Sequence, residues 1–179
     1  MNILLIIGTT REGRNTVRAS DLLTNKFEEI ASVETTVADL KELEIPHLTK
    51  RRFKTDNPPG DVEKLGKHIE DTECIVLVSP EYNHSFPGPL KNALDYFYPE
   101  YDEKCFSYVT TSAGGFGGVR QVSHLHDFTL AVGGIPGPHL AVSNIQEKID
   151  AEGVAKEEGF NQRAEEYCQK VTNFMKKQR

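Results

Sequence analysis

Short apolar runs alternate along this chain with stretches of helical periodicity, and this alternation limits the folds that the chain can adopt. The runs lie at residues 3–7, 33–40, 74–78, 106–110 and 139–142. Runs 3–7 and 74–78 are continuously apolar, which is typical of strands that helices cover on both faces. The stronger runs end near Gly, Pro or Ser, which favours strands over buried helices. The alternation predicts an α/β fold with parallel strands and right-handed crossovers.

Four further segments have the spacing or the boundary residues of helices. Apolar residues share one face over 19–30 and again over 160–175, with polar residues at the other positions. The Pro-Pro-Gly sequence before Asp61 predicts a helix that Asp61 caps and that ends near residue 69. Pro89 suits the first turn of a helix over 90–96. Residues 44–60 are expected to form a surface loop that carries several basic side chains.

Length and charge narrow the class of protein. With 179 residues the chain is expected to form one domain over 1–179 and to bury a core without metal or disulfide. Its 21 basic and 27 acidic residues give a net charge of −6, which argues against nonspecific nucleic-acid binding. The three cysteines form no CxxC pattern, and neither a membrane span nor a signal peptide is evident. We therefore expect a cytoplasmic protein without nucleic-acid or membrane partners.

The segment after the first predicted strand, residues 8–16, reads GTTREGRNT. Hydroxyl groups, two arginines and the amides of a helix N-terminus favour a phosphate or another anion. The alternative is a plain strand-to-helix turn in which Asn15 or Thr16 caps the helix and the arginines are exposed. Arg14 and Asn15 stand where a Walker A loop has Lys and Ser or Thr, and the dinucleotide pattern GxGxxG is absent. Nucleotide hydrolysis is therefore not expected.

Two later loops follow predicted strands at the same sheet edge, where open α/β sheets bind ligands. Residues 79–88 form a Pro-rich loop in which Tyr82 offers a flat ring for a planar heterocycle. Alternatively, Tyr82 and Phe86 pack locally. Residues 111–118 are rich in glycine, which lets a backbone approach a ligand closely, although a flexible turn would have the same composition. These two loops and the first loop all lie at the same edge of the sheet, so the three together indicate a ligand site more strongly than any one of them.

The three loops resemble those of the NADPH-dependent FMN reductases, a family that includes quinone, azo-dye and chromate reductases. The family's Gly-Ser/Thr-x-Arg motif corresponds to residues 8–11, and its long middle motif corresponds to 79–95, SPEYNHSFPGPLKNALD. Its later glycine-rich loop corresponds to residues 112–118. Order and spacing match as well, so the resemblance covers most of the chain. It implies a flavodoxin-like three-layer sandwich with a five-stranded parallel sheet.

The resemblance also implies a bound FMN, with NADPH or NADH as the hydride donor. It implies that the phosphate contacts Thr9, Arg11, Arg14, Asn15 and Thr16, and that the isoalloxazine ring contacts Pro80, Glu81, Tyr82, Asn83, Ser112, Gly114 and Gly115. Thr10 is also expected among the cofactor-binding residues. Thr9 keeps the hydroxyl of the serine that is frequent at its position, and His84 stands at a position that the family varies. The implied assembly is a homodimer or homotetramer with the flavin near the subunit interface.

Hydride transfer between a nicotinamide and a flavin needs no protein nucleophile, because the cofactor carries the chemistry. We accordingly expect neither a catalytic side chain nor a metal site. Ser112 could form a dyad with His124 or His126, but nothing in the sequence fixes their geometry. The two histidines point roughly 200° apart on a predicted helix, so they are not expected to bind one metal ion. Glu81 is interpreted as an acceptor that shapes its loop, and Asp95 as a residue of a helix surface or an interface. The remaining candidates, His47, His68 and His139, are expected at the surface or in the core.

The expected reaction is a two-step exchange in which NADPH leaves before the electron acceptor enters. Quinones, azo compounds, chromate and free flavin are the candidate small-molecule acceptors. The basic residues over 50–54 could hold the extra phosphate of NADPH or could simply be exposed. Two other functions remain open, a flavodoxin-type electron carrier and a flavin-dependent redox sensor without substrate turnover. Arg11 and Arg14 argue against the carrier, whose phosphate loop is expected to be rich in Ser and Thr.

Overall fold

The computed structural model describes residues 1–178, and its centre is a five-stranded sheet in which every neighbouring pair of strands is parallel. The strands are β1 (Asn2–Ile7), β2 (Glu34–Asp39), β3 (Cys74–Pro80), β4 (Cys105–Thr111) and β5 (Ile135–Val142). Their order across the sheet is β2-β1-β3-β4-β5, which is the flavodoxin-like doubly wound order. All five predicted strands are present, and the predicted fold class is confirmed.

Helices cover both faces of this sheet and complete three layers. They are α1 (Thr16–Glu28), α2 (Gly60–Asp71), α3 (Gly88–Asp95), α4 (Val122–Ala131), α5 (Ile145–Lys148) and α6 (Glu158–Gln178). Helices α1 and α6 pack on one face, whereas α2, α3 and α4 pack on the other. Within residues 1–178, no helix is long and apolar enough to cross a lipid bilayer.

The continuous apolar run of β1 is a consequence of these layers. Ile3 and Leu5 belong to the core that includes α1 and α6, and Leu4 and Ile6 belong to the core that includes α2, α3 and α4. All four side chains are at most 1% exposed. Because successive side chains of a strand point to opposite faces, a strand that is covered on both sides is apolar at every position.

Strand β5 begins four residues earlier than the predicted run 139–142. It starts at Ile135 and includes Gly137 with a proline on either side. The strand lies at the edge of the sheet, where proline is tolerated because its missing N–H costs no ladder hydrogen bond. Packing excludes a side chain at position 137, since a Cβ there would lie 2.7 Å from the Phe174 ring. A Pro-Gly-Pro sequence is locally typical of a turn, so its place in an edge strand depends on tertiary packing.

The predicted N-cap of the second helix is wrong. Helix α2 begins at Gly60, with Pro59 at the N-cap position, and Asp61 lies in its first turn. The Asp61 carboxylate instead accepts a hydrogen bond from the backbone amide of Glu44 at 2.8 Å. Asp61 therefore holds the start of the 44–60 loop against the helix.

The direction of the strand order changes between β1 and β3, which lie side by side in the sheet. The loops that follow β1, β3 and β4 leave the sheet at its carboxyl edge. In open α/β sheets, ligands bind outside this edge at the point where the strand order reverses. The fold therefore directs attention to the three loops identified from the sequence.

Candidate functional site

The loops after β1, β3 and β4 contact one another, as the sequence predicts. The Thr9 and Tyr82 hydroxyl groups are 2.8 Å apart, and the Glu81 amide donates to the Thr111 carbonyl at 3.2 Å. The Thr16 and Thr111 hydroxyl groups are 3.2 Å apart. The cleft between the loops, of about 190 Å³, is lined by Arg11, Arg14, Asn15, Thr16, Pro80, Glu81, Tyr82, Thr111, Ser112, Ala113 and Ile145. The other predicted residues lie on the same loops, with Thr9 buried and Thr10, Asn83, Gly114 and Gly115 exposed.

The first loop ends in a helix N-terminus at the cleft. Asn15 occupies the N-cap position of α1, but its side chain makes no hydrogen bond to the helix. Its Oδ1 accepts a hydrogen bond from Gln146 Nε2 at 3.3 Å instead. The first N–H groups of a helix have no partner within the helix, and the helix dipole favours an anion beside them. The α1 amides near Asn15 and Thr16 can therefore bind a phosphate.

Gly8, at the start of this loop, has a packing role. Its amide donates to the Val78 carbonyl at 2.9 Å, which joins the end of β1 to β3. A Cβ at position 8 would lie 2.7 Å from Leu90 Cδ2 on α3. The glycine of the sequence motif thus allows α3 to approach the end of β1.

The two arginines of the first loop have different environments. The Arg14 side chain is 10% exposed, and its guanidinium group donates to both carboxylate oxygens of Asp39 and to the Thr9 carbonyl, the latter at 2.7 Å. Arg11 is exposed, and its Nε donates to the Tyr82 hydroxyl at 3.2 Å. Arg14 lines the cleft but is held by Asp39, whereas Arg11 keeps most of its hydrogen-bonding capacity. The sequence analysis missed Asp39, although an acidic residue at the end of a strand beside the site was a usable signal.

The second loop presents its tip through a tight two-residue turn. Tyr82 and Ser85 exchange two backbone hydrogen bonds, of 2.9 and 3.0 Å. Between them, Asn83 has φ = +51° and His84 has φ = +67°, the arrangement of a type I′ turn. Both side chains are exposed at the tip. The turn also directs the Tyr82 hydroxyl back to the first loop, where it contacts Thr9 and Arg11.

The third loop is organised by Ser112. Its hydroxyl donates to the Gly114 carbonyl at 2.7 Å and accepts from the Gly117 amide at 3.1 Å. The Ser112 hydroxyl is thereby used within the loop and pairs with no histidine. His124 Nδ1 lies 2.9 Å from the Ser85 hydroxyl instead, so neither residue forms the serine–histidine dyad considered from the sequence.

Comparison with known proteins identifies the family. The sequence model described as NADPH-dependent FMN reductase matches residues 1–147. This chain belongs to the NADPH-dependent FMN reductase family. It is 33% identical over 140 residues to an NAD(P)H:quinone oxidoreductase of Solanum tuberosum, covering 75% of this chain and 71% of that protein. It is 27% identical over 157 residues to a quinone reductase of Escherichia coli K12, with 84% and 81% coverage.

Among solved structures, this FMN reductase is similar to FerB, a flavoenzyme NAD(P)H:(acceptor) oxidoreductase from Paracoccus denitrificans. The TM-score is 0.82 at 21% sequence identity, and the match covers 99% of this chain and 98% of that one. An azoreductase of Bacillus anthracis matches with a TM-score of 0.64 at 15% identity, covering 97% and 99%. These structures share the flavodoxin-like fold. The family, the fold and the class of enzyme inferred from the sequence motifs are thus confirmed.

The donor set of this FMN reductase fits FMN. A phosphate would meet the α1 N-terminus and Arg11, both of which supply hydrogen-bond donors. A Cβ at Gly114 or Gly115 would meet no protein atom within 4 Å, so the fold itself does not demand glycine there. By contrast, Gly117 and Gly118 have φ of +63° and +74°, and a Cβ at either position would lie within 3.0 Å of a neighbouring atom. The space beside the first pair of glycines is open, whereas the loop conformation requires glycine at the second pair.

Glu81 of the FMN reductase shapes its loop, as interpreted from the sequence. Its Oε2 accepts from the Arg120 amide at 3.2 Å, and its Oε1 lies 3.8 Å from the Arg120 guanidinium. That guanidinium also lies over the Phe116 ring, 4.7 Å from its centroid. Arg120, which the sequence analysis missed, therefore joins the second loop to the third. Asp95 pairs with Lys91 at 2.6 Å on the surface of α3.

The basic segment 50–54 does not provide a free Arg52 for the NADPH phosphate, and the interpretation is corrected in that respect. Arg52 is 13% exposed and forms ion pairs with Glu63, Glu70 and Glu100. These partners, Glu63 first, raise the pKa of Arg52 above its usual value. Arg51 remains exposed, with its guanidinium 5.4 Å from the Tyr98 ring centroid.

Proposed function

We propose that this reductase binds one FMN across the three loops and passes electrons from NADPH or NADH to a quinone. The observation that carries the proposal is the convergence of Tyr82, Thr9 and Arg11 at the strand-order reversal, with contacts of 2.8 and 3.2 Å. The proposed site residues remain Thr9, Thr10, Arg11, Arg14, Asn15, Thr16, Pro80, Glu81, Tyr82, Asn83, Ser112, Gly114 and Gly115 within one domain over 1–179.

The chain's residues bind and orient the cofactor in this proposal. When bound, FMN supplies the redox chemistry, accepting hydride from the nicotinamide and passing electrons to the acceptor. Arg11 and the α1 amides hold the phosphate, and Arg14 acts indirectly by holding the loop to Asp39. Tyr82, with its hydroxyl held by Thr9 and Arg11, flanks the ring, and the exposed glycines 114 and 115 let the third loop approach its other edge.

The names of the sequence relatives support a quinone acceptor, since both are quinone reductases or oxidoreductases. Azo compounds, chromate and free flavin are further candidates that an acceptor panel would rank. We propose that NADPH and the acceptor use the same side of the site in turn. This ping-pong order follows if the cleft admits one planar substrate beside the cofactor.

Two measurements test the proposed function. Purified protein reconstituted with FMN is expected to be yellow and to lose this colour with NADPH under anaerobic conditions, without a helper reductase. Steady-state rates with NADPH and a quinone are expected to give parallel double-reciprocal lines. Failure of the protein to bind FMN would contradict the proposed cofactor site, and intersecting double-reciprocal lines would contradict the ping-pong order. A yellow protein that NADPH does not bleach would favour a flavodoxin-type electron carrier or a redox sensor.

We propose that the reductase is a homodimer, which the face formed by α3 and α4 supports. Tyr98 is 47% exposed and Leu130 is 64% exposed on this face. Tyr98 lines a cleft of about 580 Å³ together with Phe86, Phe128, Lys91 and acidic residues, and Leu130 lies on α4, the helix that contributes Phe128 to this lining. Aromatic residues are enriched at protein interfaces, and a two-fold dimer pairs the same patch of both subunits.

Sedimentation of the holoprotein tests this assembly. Wild type is expected to sediment as a dimer, and Leu130→Glu is expected to shift it to the monomer because a buried charge would have no partner. Val154→Glu is the matched control, since Val154 is 56% exposed outside this face. The proposed interface would be contradicted if wild type is monomeric or if the two variants have equal effects. A tetrameric wild type would require a second interface in addition to this one.

A further inference from the structure

A buried threonine connects the glycine-rich loop to a histidine of the neighbouring strand. The Thr110 hydroxyl on β4 lies 2.6 Å from the Gly117 carbonyl and 2.8 Å from His139 Nε2 on β5. Thr110 is fully buried. None of the site predictions includes Thr110 or His139, which lie one step behind the residues that line the cleft.

The chemistry of the three groups decides the direction of these hydrogen bonds. A carbonyl oxygen can only accept, so the Thr110 hydroxyl donates its single hydrogen to Gly117. The contact with His139 must then run the other way, with an Nε2–H donating to the threonine oxygen. His139 is thus held as the Nε2–H tautomer, because its Nδ1–H tautomer would offer Thr110 no donor.

The Thr110–His139 relay binds the carbonyl of Gly117, a residue whose amide is also hydrogen-bonded. The Gly117 carbonyl is bound by Thr110, and the Gly117 amide is bound by the Ser112 hydroxyl at 3.1 Å. Gly117 has little room to move, since a Cβ there would lie 3.0 Å from Ala141 and from the Ser143 amide. The backbone between Ser112 and Gly117 is therefore fixed at both ends, and it carries Gly114 and Gly115.

The surroundings keep the His139 ring neutral. Burial and the neighbouring His126 on α4 lower the pKa of His139 to about 4. The His126 ring packs 4.8 Å from the Tyr108 ring of β4. Its Nε2 is buried and has no hydrogen-bond partner among residues 1–178. The donor to Thr110 is consequently a neutral imidazole at neutral pH.

We propose that His139 is a positioning residue for the cofactor, acting through Thr110 on the Gly117 carbonyl to set the conformation in which the third loop meets the flavin ring. The inference rests on the proposed function, because it assumes that this loop contacts FMN. His139 is not among the residues that line the cleft. Its effect is expected in FMN affinity and in the environment of the bound ring.

Substitutions that keep or remove single hydrogen bonds test the relay. His139→Leu is expected to raise the Kd for FMN about 5-fold, the factor for one neutral hydrogen bond. His139→Gln keeps an N–H donor at the place of Nε2 and is expected to stay within about 2-fold of wild type. Thr110→Val removes both hydrogen bonds of the hydroxyl and is expected to raise the Kd for FMN at least as much as His139→Leu, whereas Thr110→Ser keeps both and is expected to be near wild type. The visible circular dichroism of bound FMN should change in the two weakened variants and in neither conservative one.

A double-variant cycle separates positioning from general stability. In the Thr110→Val background, His139→Leu is expected to change the Kd for FMN no further, because the relay is already broken. The proposal would be overturned if His139→Leu leaves the Kd for FMN unchanged, or if His139→Gln and His139→Leu weaken FMN binding equally. It would also be overturned if the effects of His139→Leu and Thr110→Val on the Kd are additive. If His139→Leu fails to fold, the Thr110 pair alone decides, since equal FMN affinity in Thr110→Val and Thr110→Ser overturns it. Failure of wild type to bind FMN would instead refute the proposed function.

Discussion

Arg11→Ala is expected to weaken FMN binding by about 10- to 100-fold, the range for losing hydrogen bonds to a charged group. Arg11 is exposed at the first loop, and its Nε donates to the Tyr82 hydroxyl at 3.2 Å. Its removal leaves no buried charge, so the free energy of unfolding of the apoprotein should change by less than about 0.5 kcal/mol. Quenching of FMN fluorescence measures the Kd. Lys64→Ala removes an equal charge from the exposed surface of α2 and serves as the control.

The second arginine of the loop provides the contrast. Arg14→Ala leaves the Asp39 carboxylate, 17% exposed, without its cation. Breaking such a buried pair is expected to lower the free energy of unfolding by about 3 kcal/mol. Chemical denaturation of the apoprotein measures this loss. The roles assigned to the two arginines are reversed if Arg14→Ala abolishes FMN binding without a loss of stability, and Arg11→Ala lowers stability but leaves FMN binding intact.

Arg52→Ala is expected to lower the free energy of unfolding by about 2–3 kcal/mol. Its guanidinium is the shared cation of Glu63, Glu70 and Glu100, and Glu100 is only 6% exposed. This loss is smaller than the loss expected from breaking a fully buried ion pair, because Glu63 and Glu70 are 34% and 47% exposed and water screens their charges. Arg51→Ala is the matched control, since the neighbouring side chain is exposed and should change stability by less than about 0.5 kcal/mol.

The pH dependence gives a second readout for Arg52. Its hydrogen bond lowers the pKa of Glu63 below the usual 4.5. A carboxylate with a depressed pKa in the folded protein contributes stability above its unfolded pKa and loses it as the pH falls through the folded value. The difference in stability between wild type and Arg52→Ala should therefore shrink as the pH falls below about 4.5. A difference that stays constant, or equal losses in the Arg51 and Arg52 variants, would contradict the shared-cation interpretation.

The sequence predicted those features that depend on local pattern. The apolar runs located every strand and placed the three loops at one edge of the sheet, because strand periodicity and sheet polarity follow from the backbone itself. Partners distant in sequence were not accessible in this way. Arg14 and Asp39 are 25 residues apart, and although the place of Asp39 at the end of a strand was a signal for the site, no local pattern showed that its partner is Arg14. The glutamate partners of Arg52 were not predicted either, because Arg52 lies in a run of basic residues and therefore resembled a free cation.

The contact between Gly8 and α3 has a consequence for how β1 finds its place in the sheet. Five consecutive apolar residues carry no information about which of them should face which layer, since a slip by one position exchanges one apolar set for another. Which side chains of β1 face which layer of helices must therefore be decided by the residues at the end of the strand. A one-residue slip would bring Ile7 to the position of Gly8, where even a single Cβ would lie 2.7 Å from Leu90 Cδ2. The missing side chain at position 8 thus excludes the shifted pairing, and a one-residue insertion within β1 should be tolerated far less well than an apolar exchange.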